Sequence, residues 1–205
     1  MGLQYYDLFA LVYDFFTSPA HREHRVEAVR QLRAEPEQTI LDAPCGTGGN
    51  FAFLEEHVGA AGRILGCDYS PGMLRKAGAR VRKRDWNNVT LVEADARALN
   101  GGTFGVGEVD AAICMLGLTV VPDWEIVFER TYGLVKPGGR YVAMDLYLDG
   151  KPTSRFADWF FGIVASADST RRFWEPLEKL AVDYDERDYP FFGGVARVVS
   201  ATKPA

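Results

Sequence analysis

Three apolar runs in this chain each end in an aspartate, and glycines follow the first at once. ILDAPCGTGGN (residues 40–50) places Asp42 ahead of Gly46, Gly48 and Gly49. RILGCDY (63–69) carries Asp68, about 20 residues beyond those glycines, and VTLVEAD (89–95) ends in Asp95. Glycine lets backbone and ligand approach closely, and a helix opening just after it offers free N–H groups and partial positive charge. An acid at the end of the second strand accepts hydrogen bonds from the ribose hydroxyls of adenosine cofactors. A dinucleotide site would need a third glycine in the GxGxxG pattern, but position 51 is Phe51. Asp42 would also repel a pyrophosphate. It suits a ligand with a cationic amino-acid end.

The elements that must hold these residues can be read from periodicity and punctuation. Helices are expected over 4–16 and 20–34, then a strand over 38–43 and a helix over 48–58. A strand over 63–69 leads into a helix over 70–83, with Ser70 as N-cap and Pro71 at its first position. Strands follow over 89–95 and 109–116, a helix over 123–135 stopped by KPGG, and a fifth strand over 140–148. An aromatic-rich helical insert spans 153–178, and two alternating segments, 181–190 and 195–203, form an antiparallel hairpin at the sheet edge. Alternating strands and helices with near-continuous apolar strands imply a parallel sheet covered on both faces. The 205 residues suit one domain. It divides into a helical lid (1–35), a core (36–148), and an insert with hairpin (149–205).

With these residues in place a resemblance is visible over about 36–148. LDAPCGTG resembles the first motif of the class I S-adenosylmethionine (SAM)-dependent methyltransferases, GCDYSPGML their second and VEADARAL their third. LVKPGGRYVAMDL is similar to their approach to strand five. One departure is Pro44, where the family usually has glycine. The resemblance implies a Rossmann-like, doubly wound α/β fold with seven strands in the order 3-2-1-4-5-7-6, the last antiparallel. It implies SAM as cofactor, with Asp68 on the ribose, Asp95 on the adenine amine and Ala96 lending its backbone N–H. The wider contact set is Tyr13, Asp42, Ala43, Gly46, Gly48, Asn50, Tyr69, Met73 and Met115.

The substrate is set by the lids rather than the fold. YDLFALVYD (6–14) resembles the opening of many small-molecule, quinone and lipid methyltransferases, in which Tyr13 lies against the cofactor; Tyr6, Phe9 and Tyr13 also read as one apolar helix face. LTVVPDW (118–124) is similar to bacterial phosphatidylethanolamine and betaine-lipid N-methyltransferases. The YD…YD…HR pattern (6–22) and KPGG resemble quinone C-methyltransferases. Phe156, Trp159, Phe160 and Ile163 recur at helical spacing, followed by Phe173, Trp174, Phe191 and Phe192. They read either as core or as an apolar lid over a greasy substrate tail, resting on a membrane surface. The basic set Arg75, Lys76, Arg80, Arg82, Lys83 and Arg84 reads as a solvated helix face, with anionic headgroups as the alternative partner. Candidate proton acceptors are Asp145 and Tyr147, on one side of strand five, and His21; the alternative for Asp145 is that it caps a neighbouring loop.

Together these expectations give a methyltransferase acting on an amine or hydroxyl of a lipid or hydrophobic small molecule, with phosphatidylethanolamine-type N-methylation first. Quinone or aromatic C- or O-methylation is second, and a non-catalytic SAM-binding regulatory protein is third. The net charge of −5 implies no nucleic-acid partner. Cys45, Cys67 and Cys114 lack metal-site spacing and read as reduced, buried thiols of a cytoplasmic protein, so no metal is expected. No run approaches the ~20 apolar residues of a spanning helix. Oligomeric state is not encoded in any of these patterns.

Overall fold

A computed structural model describes residues 22–148, 167–191 and 194–205. The expected lid segment with Tyr13 and His21, and most of the aromatic insert including Phe156, Trp159, Phe160 and Ile163, lie outside the described residues, as does Phe192. Along the described chain run α1 (Arg22–Leu32), β1 (Thr39–Asp42), α2 (Phe51–Val58), β2 (Arg63–Asp68), α3 (Pro71–Arg84) and β3 (Val89–Glu93). A 3₁₀ turn (Ala96–Ala98) follows, then β4 (Val109–Met115), α4 (Trp124–Leu134), β5 (Val135–Tyr147), α5 (Glu175–Leu180), β6 (Val182–Phe191) and β7 (Gly194–Thr202). The seven strands form one sheet in the order β3-β2-β1-β4-β5-β7-β6. β1 to β5 pair in parallel, and β7 runs antiparallel to both β5 and β6.

Adjacent strand residues explain the continuous apolar runs. Ile40 and Leu41 are both fully buried, yet they join different cores on opposite faces of the sheet. Ile64 and Leu65, and Tyr141 and Val142, divide in the same way. One core contains Phe51 and Leu54 of α2 with Ala28, Val29 and Leu32 of α1; the other contains Phe128 and Tyr132 of α4 with Phe173 and Trp174. Burying each large apolar side chain contributes roughly 1.5–3 kcal/mol, so a period-two pattern would lose one whole face.

Three boundaries differ from expectation. The helix expected from residue 48 starts at Phe51, because Gly48 has φ +74°, a left-handed value no α-helix uses. β5 starts at Val135 rather than 140 and carries KPGG within it. Gly138 has φ +76° and donates to the Lys203 carbonyl at 2.9 Å, while Lys203 N donates to Gly139 O at 2.8 Å. The expected helix over 153–178 does not run through 167–174, which is turn. There Asp168 Oδ1 accepts from the Thr170 backbone N and hydroxyl, a local bond that competes with helix. Asp168 N also donates to Thr119 O, and Leu148 N to Ser169 O, both at 2.8 Å, which holds this turn beside the ends of β4 and β5.

Candidate active site

A cavity of about 380 Å³ opens beyond the carboxyl ends of β1 to β4, where ligands bind in open parallel sheets. Its floor is the loop after β1. Asp68 Oδ2 accepts from Gly46 N at 2.8 Å and its Oδ1 from Ser70 N at 2.9 Å, so one carboxylate ties the glycine loop to the start of α3. Burial pushes the Asp68 carboxyl upward, and these backbone N–H groups pull it back. Ser70 caps α3 by accepting from Met73 N, with Pro71 at the first helical position.

The three glycines have separate work. A Cβ on Gly46, at φ +54°, would meet nothing within 4 Å, so this residue faces the open cavity and is constrained by its backbone alone. A Cβ on Gly48 would strike the Phe51 ring at 2.5 Å, so this glycine serves the packing of α2. One on Gly49 would lie 3.0 Å from both Cζ and Nη1 of Arg25.

Eight of the expected contact residues line the cavity: Gly46, Asn50, Asp68, Tyr69, Met73, Asp95, Ala96 and Met115. Tyr69 is 56% exposed, a large ring left open at the rim. Asp42, Ala43 and Gly48 do not line it; Asp42 and Ala43 are fully buried behind it. Both Asp42 oxygens accept from Asn50 Nδ2 at 3.1 Å, and Asn50 Oδ1 accepts from Arg25 Nη1 at 2.6 Å. Asp42 therefore acts on the cavity through Asn50 and its field, not by contact. Burial pushes its carboxyl up to about 7; the Asn50 bond and the Arg25 charge lower it, and Asp68 raises it.

Asp95 is already engaged. Arg97 Nε and Nη2 donate to it at 2.7–3.1 Å, and the Arg97 backbone N donates to Oδ1 at 2.9 Å. These bonds hold its carboxyl below the ordinary range. Arg97 Nη1 reaches on to Asp123 at 3.0 Å, joining the loop after β3 to the loop after β4.

The strand-five candidates sit apart from the cavity. Asp145 is 1% exposed, with Oδ2 accepting from Thr119 N at 3.0 Å and Oδ1 from the Thr119 hydroxyl at 2.5 Å and from Leu146 N at 2.9 Å. It caps the loop after β4 rather than facing a substrate. Tyr147 packs edge-on to Trp174 at 4.8 Å, with Arg197 over its ring at 5.2 Å, and is likewise absent from the lining. Cys45, Cys67 and Cys114 are buried and unpaired with one another. Burial pushes the Cys67 thiol up to about 12, which leaves no thiolate at neutral pH.

Sequence reasoning missed Arg25, Thr47 and Arg97, and did not single out Leu116 and Gly117, which with Val120, Val121 and Pro122 form an apolar wall. Val120, Val121 and Pro122 of the same wall belong to LTVVPDW; the signal for Arg25 is its spacing of three, four and seven residues before Ala28, Val29 and Leu32 on the buried face of α1. Pro44 is accommodated by Gly117, where a Cβ would sit 2.5 Å from the proline Cγ. Among the described residues no group of three or more His, Cys, Asp or Glu is placed to hold a metal, and no helix is long and apolar enough to cross a membrane.

Residues 40–139, which build β1, the glycine loop, Asp68, Asp95 and the start of β5, match the family described as Methyltransferase domain. The chain as a whole resembles class I methyltransferases in sheet order and motif sequence. A demethylmenaquinone methyltransferase of Oceanobacillus iheyensis is 32% identical over 125 residues, covering 61% of this chain and 51% of that protein. The chain thus spans about half the length of the curated relatives it matches. Among solved structures, a methyltransferase from Haloferax volcanii in complex with the Trm112 activator superposes with a TM-score of 0.71 at 19% identity, covering 98% of each chain. Magnesium protoporphyrin IX methyltransferase from Synechocystis, solved with bound SAM, gives 0.66 at 17% identity, covering 90% of this chain and 80% of that one. At these identities the superpositions define the fold.

Proposed function

We propose that this protein is a SAM-dependent methyltransferase acting on a hydrophobic small molecule, with a quinone-type acceptor first. The observation that carries the reading is Asp68, whose carboxylate fastens the glycine loop and the α3 start at the edge of a cavity beyond the strand ends. The residues present suit SAM. Asp68 and Tyr69 stand at the β2 end for the ribose, Asp95 and Ala96 at the β3 end for the adenine, and open Gly46 backbone with Asn50 at the β1 end for the amino-acid part. When bound, SAM supplies a methyl group on a sulfonium, transferred by in-line displacement with a neutral leaving group. The chain's own residues then orient the partners and exclude water. Met115, Leu116, Val120, Val121 and Pro122 form an apolar wall suited to an apolar acceptor.

The demethylmenaquinone methyltransferase relatives favour the quinone reading over the phosphatidylethanolamine-type N-methylation that LTVVPDW suggests. Among the described residues no histidine lines the cavity, and Asp145 is committed to Thr119. A proton acceptor from the segment that carries His21 is part of this proposal, as is a cofactor contact by Tyr13.

Calorimetry with S-adenosylhomocysteine (SAH) tests the cofactor assignment. Asp68→Ala is expected to weaken binding by about a hundredfold or more, since a charged acceptor and two loop anchors go at once. Unchanged affinity in a variant that melts cooperatively would overturn the site.

A further inference from the structure

We propose that Arg25 is the anion-binding residue of this cavity, receiving the carboxylate of the ligand's amino-acid end. This rests on the cofactor reading above. Arg25 projects from α1 and is 8% exposed, though it lines the cavity. An arginine so buried ordinarily meets a carboxylate directly. Here its Nη1 donates to the amide oxygen of Asn50, and the nearest acid on that chain of bonds, Asp42, is reached only through Asn50. Its Nε is buried and, among the described residues, has no hydrogen-bond partner. An unsatisfied donor on a buried cation is costly unless a ligand completes it.

The surroundings are shaped to keep the guanidinium there. The backbone at Gly49 lies against it so closely that a Cβ would come 3.0 Å from its Cζ and Nη1, so a side chain there would press on the guanidinium. The cavity's other arginine, Arg97, is already held by Asp95 and Asp123. Sheet order supplies the direction. Asp95 follows β3, Asp68 ends β2, and Arg25 of α1 lies against Gly49 in the loop after β1. A ligand laid with adenine at β3 and ribose at β2 therefore brings its amino-acid end to β1. There, buried Asp42 suits the ammonium and Arg25 the carboxylate.

The test compares SAH with 5′-methylthioadenosine, which keeps the adenosine and lacks the amino-acid end. Calorimetry would be run on the full chain and on Arg25→Met and Arg25→Lys, with melting curves alongside. Arg25→Met is expected to lose about tenfold to a hundredfold in SAH affinity with methylthioadenosine affinity unchanged. Arg25→Lys, which keeps the charge with a different donor geometry, should fall between and decides the matter if the Met variant does not fold. Parallel weakening of both ligands would make Arg25 a prop for Asn50 and overturn the proposal while leaving the cofactor reading standing. An unchanged preference for SAH would do the same. A wild-type protein that binds neither ligand would overturn the cofactor reading and this inference with it.

Discussion

Asp42 has no exposed surface, and both its carboxylate oxygens accept from Asn50. Burial raises its carboxyl to about 7, above the ordinary value of 3.8. Between roughly pH 4 and pH 7 the folded protein holds a proton there that the unfolded chain has released. The stability from neutral Asp42 is thus fully present below about pH 4 and lost as pH rises through about 7. Asp42→Asn removes this titration. Its melting temperature relative to wild type should climb between pH 4 and pH 7 and stay level above; a difference independent of pH would show that Asp42 does not titrate in the fold. The residue's type and place were legible in the sequence, but its depth was not, because depth is created by Asn50 and Arg25 closing over it. The role of Arg25 was not legible. The arginine's spacing of three, four and seven residues before Ala28, Val29 and Leu32 puts it on the buried face of α1, unlike Arg22 and Arg30, but its approach to Asn50 and Gly49 leaves no trace in REHRVEAVRQL.

The loop after β4 is held from three sides. Asp145 of β5 binds Thr119, Arg171 Nη1 donates to the Leu118 and Val121 carbonyls at 2.8 and 2.7 Å, and Gly117 admits Pro44 from the loop after β1. This loop carries the apolar wall, so Asp145 holds that side of the cavity in place without lining it. Asp145→Ala leaves the Thr119 N–H and hydroxyl buried without that partner, a loss of about 2–4 kcal/mol. A double-mutant cycle with Thr119→Val should give a coupling of about 1–3 kcal/mol in denaturant unfolding; additive effects would remove the capping role. β1, β2, β4 and β5 were legible because both faces of the sheet are buried there, so each shows as an apolar run between glycine or acid punctuation; β6 and β7 were legible through alternation instead. The end of the insert was not. Asp168, Ser169 and Thr170 bond locally and to the ends of β4 and β5, and that long-range tie leaves no periodic trace.

At the scale of the molecule, the sheet sorts chemistry along its C-terminal edge. Carboxylates stand at the β2 and β3 ends, bare backbone and a buried cation at β1, and apolar side chains beyond β4. On the proposed function that gradient runs from the adenosine end of the cofactor to an apolar acceptor, so the acceptor's own solubility should report on it. The full chain would be incubated with methyl-labelled SAM and, in separate vessels, a demethylmenaquinone-type quinol and phosphatidylethanolamine vesicles, and the products split between organic and aqueous phases. Label on the quinol is expected, since the demethylmenaquinone methyltransferase relatives and the apolar wall point the same way. Label on phosphatidylethanolamine instead would return the N-methylation reading to first place and assign the loop 117–122 to headgroup recognition. If label from a cell extract enters only the aqueous phase, the wall is core packing rather than a substrate surface, and the acceptor is polar. SAH binding with no transfer to any acceptor would make the same cavity a sensor of the cofactor. In that case Asp68 and Asn50 would keep their work and the wall beyond β4 would have no acceptor to hold.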